Sequence, residues 1–143
     1  MLKIPEGQTP PEVAELVKDI IQDKIICDIG CGGGSFLEAI NKYAKFCIGI
    51  EEDEDTAYFA ARRNPEWEIR NDNTFFHPLP PADVYYSWSK DSMGIYLKAQ
   101  YEKTPGIWIF GYSERPSTKK FLQEIADETR EINGFKVYIK YAI

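Results

Sequence analysis

The sequence predicts an α/β protein built on an open, doubly wound sheet. The sheet is mostly parallel, has six or seven strands, and ends in an antiparallel one. Three observations carry this. Short apolar runs alternate with amphipathic helical stretches along the whole chain. The first runs, such as Ile25-Ile26-Cys27-Asp28-Ile29, are apolar on both sides rather than alternating, as strands covered on both faces are. The last run, Phe135-Lys136-Val137-Tyr138-Ile139-Lys140-Tyr141, alternates apolar and basic residues, the pattern of a more exposed, antiparallel strand.

The elements follow in order. Val13, Leu16, Val17, Ile20 and Ile21 form a stripe that predicts one helix over 12–22. Thr9 reads as its cap, with Pro10 and Pro11 fitting the first turn. Residues 25–29 are the first strand. After a glycine-rich turn, 35–43 read as a helix and 46–50 as a second strand. Residues 53–63 form a helix that Asn64-Pro65 ends. Residues 68–70 make a weak third strand, and Pro78, Pro80 and Pro81 mark a loop. Residues 84–88 are the fourth strand. Met93, Tyr96, Leu97 and Tyr101 place a helix over 90–101, and 106–110 read as the fifth strand. Phe121, Leu122, Ile125, Thr129 and Ile132 predict a helix within 117–132, ahead of the final strand.

Composition narrows the function. The 143 residues fit one domain, 1–143, large enough to bury roughly two thirds of its unfolded surface without disulfides or metal. Seventeen basic against 23 acidic residues give a net charge of −6. Binding to a phosphate backbone rests on Lys and Arg, so a nucleic-acid partner is not expected. Three cysteines and one histidine give neither a disulfide framework nor a zinc spacing. Cys27 and Cys47 read as buried thiols. No run approaches the ~18 apolar residues of a membrane span, and Met1–Gly7 lacks the apolar core of a signal peptide. The expected location is the cytoplasm, with no membrane association.

Ligands of doubly wound sheets bind beyond the carboxyl ends of the strands. The first strand there ends in Asp28-Ile29-Gly30-Cys31-Gly32-Gly33-Gly34-Ser35, a D-x-G-x-G-x-G spacing. Glycines permit positive φ and leave bare backbone for a ligand, and N–H groups at the following helix start aim at the turn. A dinucleotide site asks for G-x-G-x-x-G, and Ser35 breaks that pattern. Asp28 also suits a cationic ligand better than a pyrophosphate. The second strand ends in Glu51, whose carboxylate can take both hydroxyl protons of a ribose. Glu52, Asp53, Glu54 and Asp55 behind it favour a helix start and repel a 2′-phosphate. Asn71-Asp72-Asn73 follows the third strand and reads equally well as an Asx turn. Cys31 lies in the glycine turn, where an exposed thiol near a helix start would be reactive, but it reads as a filler at a variable position.

These residues resemble motif I of the class I, S-adenosylmethionine-dependent methyltransferases, over residues 24–113. The resemblance implies a Rossmann-like methyltransferase fold and S-adenosyl-L-methionine as cofactor. Asp28, Gly30, Cys31, Gly32 and Gly34 would lie around its methionyl end, Glu51 at the ribose, and Asp72, or second Asn73, at the adenine amine. The end of the fourth strand, Tyr86, Ser87 and Trp88, would face the transferable methyl group. Trp88, at the exit, is the better candidate to stack on adenine or to wall the acceptor pocket, with Tyr112 beside it in the second case. The [DN]-P-P-[YFW] pattern of amino methyltransferases acting on DNA is absent.

Thr9-Pro10-Pro11-Glu12-Val13 and Phe75-Phe76 also resemble small archaeal-type protein lysine methyltransferases, which implies a protein amine as methyl acceptor. That group ends in two strands after the fifth, where this sequence shows a longer helix and one clear strand. The alternatives are a non-catalytic module or partner subunit that binds the same cofactor, and a small NAD-binding oxidoreductase. His77, beside prolines, reads as structural. The apolar-basic last strand is a candidate dimer edge, so monomer and homodimer both stand.

Overall fold

The computed structural model describes residues 9–73, 78–88, 100, 102–111 and 116–142. The described elements are α1 (Glu12–Leu16), α2 (Lys18–Ile21), β1 (Ile25–Ile29), α3 (Ser35–Ile40), β2 (Phe46–Glu51), α4 (Glu54–Arg63) and β3 (Glu68–Asn71). They continue with β4 (Val84–Trp88), β5 (Gly106–Gly111), α5 (Pro116–Ile125), β6 (Glu128–Ile132) and β7 (Phe135–Ala142). Seven strands form one sheet in the order β3-β2-β1-β4-β5-β7-β6. The strand pairs from β3 through β5 are parallel, and β7 runs antiparallel to both β5 and β6. Strand order reverses between β1 and β4, so the site is sought at their carboxyl ends.

Both faces of the sheet are covered. On one, Val13, Val17, Ile21, Phe36 and Leu37 pack on Ile26, Tyr86, Ile109 and Val137. On the other, Tyr85, Trp108, Phe110 and Tyr138 cluster with Leu122, Ile29 and Ile50. Tyr85 and Trp108 stack with centroids 4.8 Å apart, and the Tyr85 hydroxyl donates to Pro80 O at 2.7 Å. Two-residue alternation thus sends consecutive β4 side chains to opposite faces.

α4 is built as its sequence predicts. Asp53 caps it, its carboxylate accepting from Thr56 N at 2.9 Å, and Arg62 and Arg63 close the last turn. Three expectations are corrected. The helix over 12–22 breaks at Val17, where φ is −112° and ψ 10°. Thr9 does not cap it: Pro11 holds the cap position and no side chain bonds there.

The third correction is larger. Residues 128–132 are a strand rather than the end of a helix, so the sheet has seven strands and matches the two-strand ending that the sequence seemed to lack. Asn133 and Gly134 have φ of 49° and 80°, the pair of positive values that a two-residue hairpin demands. Consequently β7 lies inside the sheet and is no dimer edge. The edges are β3 and β6, and β6 is fastened by Arg130. Its guanidinium donates to the Asp19 carboxylate at 3.0 Å and to Leu16 O at 2.9 Å. The helix expected over 90–101 falls largely outside the described residues.

Candidate functional site

The carboxyl ends of β1, β2 and β3 converge, with Ile29 opposite Ile50 and Glu51 opposite Asn71. The chain leaves β1 through the glycine turn, where Gly30, Gly32 and Gly34 take φ of 74°, 55° and 92°. A Cβ on Gly30 or Gly32 would meet nothing within 4 Å, so their bare sides face open space. A Cβ on Gly34 would sit 2.7 Å from the Trp67 ring. Three of the turn's own N–H groups, ahead of the helix start, are taken up by the chain. Gly30 and Cys31 donate to Ile50 O at 2.8 and 2.9 Å, and Gly32 donates to Glu51 Oε1 at 3.0 Å.

Glu51 therefore organises the turn. Its second oxygen accepts from Asp53 N at 2.9 Å. A carboxylate offers about four lone-pair sites, so each oxygen keeps one for a further donor. Asp28, at the heart of β1, is different. It is 3% exposed and accepts no hydrogen bond among the described residues. Burial first, and the charge of Glu51 second, hold its carboxyl well above the usual carboxylate range. It faces a void of about 30 Å³ shared with Thr9, Gly30, Gly32, Tyr86 and Trp88. That is room for about one or two waters.

Cys31 also borders the void, but its thiol is buried and pushed up by burial, then by the charges of Asp28 and Glu51. This agrees with its reading as a filler of the motif, and the alternative of an exposed, reactive thiol is not met. Cys27 is buried, and so is Cys47, whose thiol burial pushes up to about 12.

Beyond β2 and β3 lies an open basin lined by Glu52, Asp53, Asn71, Asp72 and Asn73. Asn71, which the sequence reading assigned no role, stitches it together: its amide donates to Glu51 O at 3.0 Å and Glu52 O at 2.9 Å. Asn73 donates to Glu52 Oε2 at 3.1 Å, and Asp72 N to Glu51 O at 3.1 Å.

At the end of β4 the three nominated side chains separate. Tyr86 is buried, stacked on Phe36 at 3.8 Å, and its hydroxyl bonds Thr9 Oγ1 at 2.7 Å. Half-buried Trp88 leans on Phe135 at 5.0 Å and rims the void. Ser87 points to the other face, fully buried, with no partner for its Oγ among the described residues. Tyr112, His77, Phe75 and Phe76 lie outside the described residues. Thr9 is a second residue whose place the sequence reading missed, because a proline pair beside it spoke for a cap.

No protein-family model matches the chain, and no curated protein matches it in sequence. Solved structures do match. An RNA methyltransferase from Salinibacter ruber, crystallised with S-adenosyl-L-homocysteine, superposes with a TM-score of 0.77 over 93% of this chain and 92% of its own, at 18% identity. This chain has the class I methyltransferase fold. A ribosomal protein L11 methylase from Lactobacillus delbrueckii subsp. bulgaricus matches with a TM-score of 0.70 at 14% identity, covering 90% of this chain and 75% of that one. The N-methyltransferase NodS from Bradyrhizobium japonicum matches with 0.69 at 14% identity, covering 91% and 93%. The expectation against nucleic acid gains no support from these matches, since the Salinibacter protein is described as an RNA enzyme. No helix among the described residues is long and apolar enough to cross a membrane.

Proposed function

We propose that the chain binds S-adenosyl-L-methionine and transfers its methyl group to a nitrogen acceptor. Asp28 carries the reading. A buried carboxylate without a hydrogen-bond donor is costly, and the void it faces gives it access to a cation. No Lys or Arg among the described residues lines that void. The ammonium of a methionyl group fits it, where a pyrophosphate would be repelled.

The other residues fit the same ligand. Glu51 keeps an open lone pair on each oxygen for two ribose hydroxyls, while its other bonds hold the turn. Asp72 and Asn73, in the adjoining basin, take the adenine amine. Gly30 and Gly32 leave bare backbone beside the ligand, Gly34 keeps the turn clear of Trp67, and Cys31 contributes main chain only. Bound S-adenosyl-L-methionine supplies a methyl group already activated on a sulfonium, so the chain need only align the acceptor and exclude water. Tyr86 and Trp88 wall that space, Ser87 backs it from the far side of β4, and an amine entering beside aromatic rings is desolvated toward its neutral, nucleophilic form.

The acceptor that goes with the Thr9–Val13 resemblance is a protein lysine. RNA is the second acceptor, on the strength of fold neighbours described as RNA methyltransferases. Calorimetry with S-adenosyl-L-methionine, S-adenosyl-L-homocysteine and NAD tests the first step. Heat with NAD alone would turn the reading toward an oxidoreductase. Labelled methyl transfer to cell-lysate protein and RNA tests the second. Tight cofactor binding with label in neither pool would make the chain a non-catalytic module.

A further inference from the structure

We propose that a second copy of this chain docks on the outer face of α4, about a two-fold axis at the middle of that helix. The surface stands whether or not the chain binds S-adenosyl-L-methionine. Among the described residues four large apolar side chains are exposed, and the two most exposed, Tyr58 and Phe59 at 62% each, are neighbours on α4. At about 100° per residue, Asp55, Tyr58, Phe59 and Arg62 fall on one stripe, opposite the buried Ala57 and Ala60. The Arg62 guanidinium lies 5.6 Å from the centre of the Tyr58 ring and donates to its hydroxyl at 3.1 Å. Neither Arg62 nor Asp55 has an oppositely charged partner among the described residues.

The stripe is complementary to itself. α4 runs from Glu54 to Arg63, so its midpoint falls between Tyr58 and Phe59. A two-fold axis there makes the two helices antiparallel and repeats every contact. It sets Tyr58 against the partner's Phe59 and Asp55 against the partner's Arg62, which gives aromatic pairs at the axis and an ion pair at each end. The same charges disfavour a nucleic-acid strand, because Glu52, Asp53, Glu54 and Asp55 crowd the start of α4 and repel phosphate. Each ring leaves about 100–150 Å² uncovered, so the four rings of a pair supply about 400–600 Å². A specific interface buries about 1,000 Å² or more, with the helix ends adding the remainder, so the dimer is weak and its population follows concentration.

Analytical ultracentrifugation of the full chain, from about 5 µM to about 1 mM in about 0.1 M salt, tests the proposal. The wild-type chain should pass from monomer to dimer. Asp55→Arg brings positive charges together at both ends of the pair, and Arg62→Glu brings negative ones together. Each should weaken the dimer roughly tenfold or more, because the axis repeats the change. An equimolar mixture of the two variants should regain the dimer, since every facing pair is then of opposite sign. Tyr58→Ala, at a mostly exposed position, should also weaken self-association roughly tenfold. A wild-type chain that stays monomeric up to about 1 mM would overturn the proposal. So would variants that dimerise like wild type, or a mixture that shows no rescue while circular dichroism finds both variants folded. A single-stranded RNA oligomer that binds the monomer and is lost in Tyr58→Ala would overturn it in favour of a nucleic-acid surface.

Discussion

Asp28→Asn keeps the side chain's shape and removes its charge, which makes it the sharpest probe of the site. In the ligand-free chain the carboxyl is 3% exposed, has no donor among the described residues, and is held above its unfolded value of 3.8 by burial and then by Glu51. The sign follows from linkage. Below the unfolded value both states are protonated and the group costs nothing. As pH rises above it, the unfolded chain ionises first, so stability falls until the folded carboxyl ionises too, about 1.36 kcal/mol for each unit of separation. An unpaired buried polar group costs about 1–3 kcal/mol by mutational measures. Asn retains a polar amide, so the expected gain in ligand-free stability at pH 8 is about 1–2 kcal/mol, or about 3–8 °C in Tm. At pH 5 the gain shrinks. Affinity moves the other way: a hydrogen bond to a charged group is worth about 1.5–3 kcal/mol, so S-adenosyl-L-homocysteine should bind about 10–100-fold more weakly. Melts at both pH values with and without ligand, and calorimetry, read both effects. A variant less stable than wild type without ligand, yet binding as tightly, would refute the reasoning.

Three further outcomes are expected. Glu51→Ala removes the acceptor of Gly32 N and Asp53 N, so it should lower ligand-free stability by about 1–3 kcal/mol in denaturant melts and also abolish ribose recognition. Gly34→Ala meets both a φ of 92° and a Trp67 atom at 2.7 Å, and should cost about 2–4 kcal/mol; Gly30→Ala, with open space around it, should cost only about 1–2 kcal/mol, both by thermal melts. Thiol titration of the native chain at pH 7.5 should label none of Cys27, Cys31 and Cys47, all buried with raised thiols, while denaturation exposes all three.

What the sequence disclosed follows periodicity. β1 and β2 were legible because strands covered on both faces carry unbroken apolar runs, and β7 because its own alternation survives inside the sheet. β6 was not. Phe121, Leu122 and Ile125 form a true helical stripe, and Thr129 and Ile132 fall by chance on its continuation. The signal that breaks the tie is Asn133-Gly134, a hairpin dipeptide whose backbone indeed takes positive φ at both residues. Asp28 and Glu51 could be singled out because each sits in or closes a buried strand beside the glycine turn, and the structure places both there. Thr9 and Asn71 could not, because their partners Tyr86 and Glu51 stand 77 and 20 residues away, a separation no local pattern encodes.

The two acids of the site pull folding in opposite directions. Glu51 stabilises the ligand-free chain, because its oxygens collect the N–H groups of Gly32 and Asp53 and so set the turn. Asp28 destabilises it, because it is buried without a donor and close enough to Glu51 to feel its charge. A neutral residue at 28 would fold better, so stability alone does not account for the carboxylate. The cost is recovered only when a cation enters the void, since a positive group relieves both the missing hydrogen bond and the repulsion from Glu51. On the proposed reading, ligand binding would be coupled to this buried charge of the described core. A neutral or anionic nucleoside could use Glu51 and the basin beyond it, but it would leave Asp28 unanswered. Discrimination for a nucleoside carrying an ammonium would, on that reading, reside in Asp28, with Glu51 supplying the frame on which it acts.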